Sequence, residues 1–203
     1  MFVQIFRARV KDEEAVRNQF QRWVSGLAPE ASGWLGSTVG FTDEGEMVAI
    51  ARFSSEDDAR ANAGRSEQGR WFDDLSTHLD GEVSFREATE VDFLMGGGSD
   101  QAGFVQVLEG TVTDEGRFRD AGRDLESLLL VERPEIMGGI TAYHGDGTLT
   151  HIVYFTSEGA AREGESKTRA PELQRFFDEI TAMTTDLRYT DLRRPWLAGP
   201  QAV

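Results

Sequence analysis

The chain has 203 residues, 39% of them hydrophobic, no cysteine, and a net charge of −15. That size buries a core without covalent help, and the missing cysteine excludes disulfides, thiolate metal sites and a thiol nucleophile. Both halves are acidic, so the field repels a phosphate backbone and nucleic acid is not an expected partner. No apolar run approaches the length of a membrane span. The N-terminal stretch MFVQIFRARV lacks the basic lead and small-residue cleavage site of a secretory leader. A soluble, cytoplasmic globular protein is the expectation.

An internal repeat sets the architecture. FVQIFRARVKDEE from Phe2 stands over FVQVLEGTVTDEG from Phe104. At a constant offset of 102, residues 2–69 align with 104–171 without a gap, and 18 of those 68 positions are identical. Ordinary composition would give roughly four. The expected units are 1–95 and 104–203, joined by a Gly-rich linker over 96–103.

Each unit reads in the same order. Residues 2–10 have the Val, Ile and Phe content of a strand. Asp12 caps a helix that carries Val16, Phe20, Trp23, Val24 and Leu27 at helical spacing, with Glu13 and Glu14 at its positive end. Two strands follow, about 35–42 and 47–54, joined by a tight turn. In the second unit the corresponding turn, Gly145-Asp146-Gly147-Thr148, suits a type I′ hairpin with Asp-Gly at its centre. That register sets His144 opposite Leu149 and His151 opposite Ala142, so the two histidines share one face. Ser55 opens a second helical stretch, broken near Gly64 and, in the other copy, near Pro171. It resumes through Trp71, Phe72, Leu75 and Leu79. A last strand spans about 82–88, or 186–192. The segments around Phe93 and Trp196 are expected to be arms that cross onto the other unit.

The fold class is therefore α+β: two ferredoxin-like β-α-β-β-α-β repeats with antiparallel sheets. Both faces of each sheet carry apolar residues, which predicts that the sheets pack on one another as a pseudo-dimeric α/β barrel.

With the element order, and with Phe53, Ser55, Glu56, Ala59 and Arg60 at a strand-to-helix junction, the chain resembles the dimeric α/β-barrel superfamily. Within it, the chain is similar to the antibiotic-biosynthesis-monooxygenase-like proteins. The resemblance implies that the two repeats supply both halves of what is elsewhere a dimer, with further homo-oligomerisation open. It implies a small apolar or aromatic molecule as partner, and cofactor-free oxidation or a related isomerisation as activity. A catalytically silent binding or scaffold protein is the rival reading. A haem binder is the third. The haem-degrading pattern has an Asn on the first strand, a Trp in the second helix and a His ten residues later. Here those last two positions fall on Ala63 and Asp73, so any haem ligand would be a displaced one such as His78.

Candidate chemistry gathers in the second unit. It holds Tyr143, His144, His151 and Tyr154 where the first has Phe41, Thr42, Ala49 and Arg52. Either the second unit keeps an ionisable pocket, or the difference is neutral divergence. His151 is the candidate base. His144, Tyr143, Tyr154, Tyr189, Arg52, Gln4 and Gln106 are candidate ligand contacts. No cofactor and no metal are expected.

Overall fold

The computed structural model describes residues 1–200. Its chain divides into two compact units, residues 1–89 with the segment from Arg194 onward, and Glu90–Arg193.

The first unit begins with β1 (Phe2–Val10) and α1 (Glu13–Gly26). The α1 N-terminus is closed by Asp12, whose Oδ1 accepts from the Ala15 amide at 3.0 Å, which satisfies one of the free amides of the first turn. A single 3-10 turn over Ala28–Glu30 leads to β2 (Trp34–Phe41) and β3 (Glu46–Phe53). Then come α2 (Glu56–Ala63), α3 (Ser66–Ser76) and β4 (Leu79–Ala88). The break between α2 and α3 falls at Gly64, as the sequence implied.

The second unit repeats the plan. β5 (Glu90–Leu94) precedes β6 (Phe104–Val112), α4 (Glu115–Glu132), β7 (Ile136–Tyr143) and β8 (Thr148–Phe155). α5 (Glu158–Ser166), α6 (Pro171–Ala182) and β9 (Thr184–Leu192) follow, and β10 (Trp196–Ala198) is the last described element. The chain is a tandem duplication of one ferredoxin-like unit.

Each sheet has five strands instead of the four that one repeat encodes. The orders are β10-β2-β3-β1-β4 and β5-β7-β8-β6-β9, with every pairing antiparallel. The extra strands are the arms. β5 follows the first repeat in sequence but pairs with β7, setting Phe93 opposite Ile140. β10 follows the second repeat but pairs with β2, setting Trp196 opposite Val39. Each arm covers a strand edge that would otherwise expose unpaired amides and carbonyls.

Helices cover one face of each sheet. In the first unit Val16 and Phe20 of α1 and Leu75 of α3 pack on Ala8, Val39, Met47 and Ala49. Trp23 joins Phe2, Trp34 and Phe53 in an adjoining cluster. The opposite face is buried as well, through Val3, Ile5, Val48 and Ile50. In the second unit Ile140, Ala142, Ile152 and Tyr154 on that opposite face are completely buried. Two apolar faces per sheet is what the strand sequences implied.

The β7–β8 hairpin corrects the expected register by one residue. Tyr143 pairs with Leu149 and Thr141 with His151. Positive φ occurs at Gly145 and Gly147 and not at Asp146, so the turn is not type I′. His144 and Thr148 close a three-residue loop through a 3.1 Å backbone hydrogen bond. Asp146 accepts from the Thr148 amide at 3.0 Å, an Asx turn that competes with the two-residue alternative. Because side chains alternate along a strand, the one-residue slip moves His151 to the face opposite His144.

Candidate functional site

The helix-covered face of the first sheet holds a cavity of about 350 Å³. Its walls are Phe6, Phe20, Trp23, Phe53, Trp71, Phe72 and Phe85, closed on the sheet side by Val39, Ala49 and Ala51. The rings support one another. Phe20 meets Trp71 edge-on with centroids 5.5 Å apart, and Trp71 meets Trp23 at 6.4 Å. Phe85 stacks on Phe6 at 5.7 Å. The Trp71 indole is fixed by donating from Nε1 to the Gln19 carbonyl at 2.8 Å. An aromatic wall of this kind favours flat, polarisable ligands. Phe85, 54% exposed, and Asp73, also exposed, border the open side.

Four neutral polar side chains reach this lining: Gln4, Ser37, Asn62 and Gln68. Ser37 is committed to Trp34, whose Nε1 donates to its Oγ at 3.0 Å. Asp73 is the one titratable residue in the lining. Asp73 lies on α3, at the position where the haem-degrading pattern has its histidine. Ala63, the other position of that alignment, also borders the cavity. His78 is not on a helix. It lies in the turn after α3, its amide donating to the Leu75 carbonyl at 3.0 Å.

Of the residues singled out in the sequence, Gln4 reaches this cavity. Its Nε2 donates to Glu87 at 2.9 Å, and Glu87 is held by Arg60. Hydrogen bonds from Arg60 and Gln4 hold the Glu87 carboxyl below the usual carboxylate range. The second repeat copies the relay, with Gln106 donating to Asp191 at 3.1 Å and Arg162 paired to the same carboxylate. A polar residue repeated on a buried strand is explained by this partner.

Arg52 lies on the opposite face of the first sheet, between Val3 and Gly36, with its Nε buried and without a hydrogen bond. Tyr154, its counterpart, is fully buried on the equivalent face of the second sheet. Tyr189 is 58% exposed on the edge strand β9. Tyr143 faces the helices and donates to Asp92 Oδ2 at 3.0 Å, while the Arg119 guanidinium lies 3.9 Å from its ring centre. Burial, then the Asp92 charge, raises the Tyr143 phenol above its ordinary value. The phenol is therefore a hydrogen-bond donor that fastens β5 to β7, not an acid at neutral pH.

His144 and His151 are not brought together. His144 Nε2 bonds the Thr150 hydroxyl at 2.9 Å on one face. His151 Nδ1 bonds the Thr141 hydroxyl at 2.8 Å on the other. The His151 residue keeps some surface, yet its ring is set deep among protein atoms, and that burial pushes its imidazole down to about 4. A depressed imidazole is neutral in the folded state and protonated in the unfolded chain below about 6.5. The stability this contributes is complete above pH 6.5 and is lost as pH falls toward 4. Urea unfolding should therefore lose about 2 kcal/mol between pH 7.5 and 5 through this one group. The His151→Gln variant should show a correspondingly flatter dependence, and equal slopes in the two proteins would remove the account. Among the described residues no group of three or more His, Asp or Glu side chains converges as a metal site would require.

No family model matches the chain, and a search of curated proteins returns no match. Solved structures do match along the whole chain. A protein from Lactobacillus acidophilus NCFM described as a candidate monooxygenase is 14% identical with a TM-score of 0.77, covering 100% of this chain and 97% of its own. An anthrone oxidase-like protein is 13% identical with a TM-score of 0.67, covering 99% and 94%. A ferredoxin-fold protein from Listeria monocytogenes 4b F2365, related to antibiotic biosynthesis monooxygenases, is 11% identical at 0.50, covering 99% and 96%. The chain has the tandem ferredoxin-like fold of these monooxygenase-related proteins. At such identities the likeness is one of architecture, and chemistry must be argued from side chains.

The sequence reading missed the cavity, although its signal was present in the repeat. Corresponding positions diverge where the lining lies: Phe20 against Gly122, Trp23 against Leu125, Asn62 against Gly164, and Gln68 of α3 against Leu173 of α6. Large or polar residues in one copy stand against small or aliphatic ones in the other.

Proposed function

We propose that the first unit is a cofactor-independent monooxygenase site for a small, electron-rich aromatic molecule. The observation that carries this reading is the aromatic-walled cavity of about 350 Å³ with Asp73 as its one titratable residue. The monooxygenase-type neighbours and the anthrone oxidase-like one support the reaction class.

An activated ring methylene, conjugated through the aromatic rings to a ring carbonyl, loses a proton to the Asp73 carboxylate, which leaves a resonance-stabilised carbanion. The carbanion transfers electrons to dioxygen, a carbon–oxygen bond forms, and the peroxide anion takes back the proton held by Asp73 to give a hydroperoxide. Loss of water from that hydroperoxide leaves a second ring carbonyl. In sum, one ring methylene and one dioxygen give one ring carbonyl and one water. Carbon is oxidised, oxygen is reduced, and the substrate supplies every electron. The protein's share is to hold the ring, take the proton and keep bulk water from the carbanion. The tandem repeat is read as an intramolecular pseudo-dimer, an inference supported by the reciprocal strands β5 and β10.

Anthrone is the probe. Oxygen uptake with one equivalent of anthraquinone formed, well above autoxidation without protein and without added cofactor, is the expected result. A rate equal to autoxidation would overturn the proposal. His151 gives a second reading, favoured by its neutral ring on the helix-covered face of the second sheet. If the first-unit site is correct, His151→Ala retains anthrone turnover. If His151 is the base, the same variant loses it.

A further inference from the structure

Three carboxamides border the cavity, and the orientation of each is fixed by a partner of single polarity. Trp23 Nε1 can only donate, and it donates to Gln68 Oε1 at 2.6 Å. Arg65 can only donate, and its Nη1 donates to Asn62 Oδ1 at 3.2 Å. Asn62 is thereby turned so that its Nδ2 donates to Gln68 Oε1 at 3.4 Å. The Glu87 carboxylate accepts, so Gln4 must present Nε2 to it at 2.9 Å. Amide flips that are ordinarily ambiguous are settled here by chemistry.

The consequence is a defined polarity. With its oxygen taken twice, Gln68, which borders the cavity, is left with an amide nitrogen that makes no hydrogen bond among the described residues. Gln4 likewise leaves Oε1 as an acceptor. A ligand filling the aromatic walls without an oxygen acceptor would strand the Gln68 donors away from water, which is costly.

Resting on the proposed site, the geometry points to Gln68 as the specificity-determining residue. It is the donor that reads a carbonyl or enolate oxygen on the bound ring, held in place by Trp23 and Asn62. As a proton leaves the ring, charge gathers on that oxygen, and a preoriented N–H pair stabilises it without reorganising. Gln4 Oε1 complements it by accepting from a ring hydroxyl. The substrate class is thus an aromatic ketone, with a hydroxyl substituent favoured.

The same reasoning confines the site to one repeat. The counterpart of Gln68, third residue of α3, is Leu173 in α6, and that of Asn62 is Gly164. A side chain at Gly164 would collide with the Glu135 carboxylate and the Arg133 guanidinium, which occupy that space. The chain therefore takes one ligand, not two, despite its duplication.

Titration calorimetry with 1-tetralone and its carbonyl-free counterpart tetralin tests this. The wild-type protein should bind the ketone about tenfold more tightly, one per chain. Gln68→Glu retains the acceptor for Trp23 but replaces the donor, so it should bind tetralin as before and lose the preference. Gln68→Leu should lose it as well, which guards against an effect of charge alone. If both variants keep the tenfold preference, or two ketones bind per chain, the inference is overturned while the cavity reading stands. If the wild-type protein binds neither compound, the cavity reading itself falls.

Discussion

Replacing Glu135 by Ala is expected to cost about 3–5 kcal/mol of stability. Arg133 and Glu135 are 6% and 8% exposed and paired to each other at the end of α4 and the start of β7. The Glu135 carbonyl also accepts from the Thr156 amide at 3.0 Å, so the backbone there is held independently of the carboxylate. Truncation leaves the Arg133 guanidinium buried with its counter-charge removed, and desolvation of that cation is no longer offset. A paired replacement, Arg133→Met with Glu135→Leu, removes both charges and should recover most of the loss. Denaturant midpoints of the two proteins measure the difference. A single variant within about 1 kcal/mol of the wild type would mean that the pair is not energetically buried.

Asp73→Asn is expected to lower anthrone turnover by about 100-fold or more, the range associated with loss of a positioned base. Asn is nearly isosteric and Asp73 is exposed on α3, so stability should change little. Binding of the ketone probe should persist, because the aromatic walls and the Gln68 amide are untouched. A raised KM with unchanged kcat would indicate that Asp73 only helps to bind, and would remove it from the chemistry. Unchanged kcat and KM would remove it from the site.

Much of the fold was legible because repetition supplied a second copy of each signal. Asp12 and Asp114 both precede helices and both cap them, accepting from Ala15 and Arg117 respectively. Register was less legible. Asp-Gly in Gly145-Asp146-Gly147 fits a two-residue turn on local preference, yet a Gly on either side offers the chain a longer loop. The difference is one residue, and it separates His144 from His151 by the thickness of a sheet. The candidate site suffered from a different bias. Histidines and tyrosines stand out in a sequence because they ionise, and the structure gives His144, Tyr143 and Tyr154 defined partners or burial instead. The residues of the cavity are mostly phenylalanine, tryptophan and carboxamides, whose chemistry depends on what holds them. Gln68 becomes informative only when Trp23, 45 positions away, is seen to take its oxygen.

The reciprocal strands carry a consequence for how the molecule is made. β2 is synthesised early, but its outer partner β10 leaves the ribosome only after the whole second repeat. Until then the first sheet ends on an open edge, and Phe20, which walls the cavity, lacks the Trp196 ring that sits 5.6 Å from it. The N-terminal unit is thus begun first and finished last. Translation that stops just short of Trp196 yields a chain with every residue of the cavity lining and an unpaired strand beside it. Such a product would present itself to chaperones and proteases as unfinished, and release of a competent site is tied to completion of the second repeat and its arm.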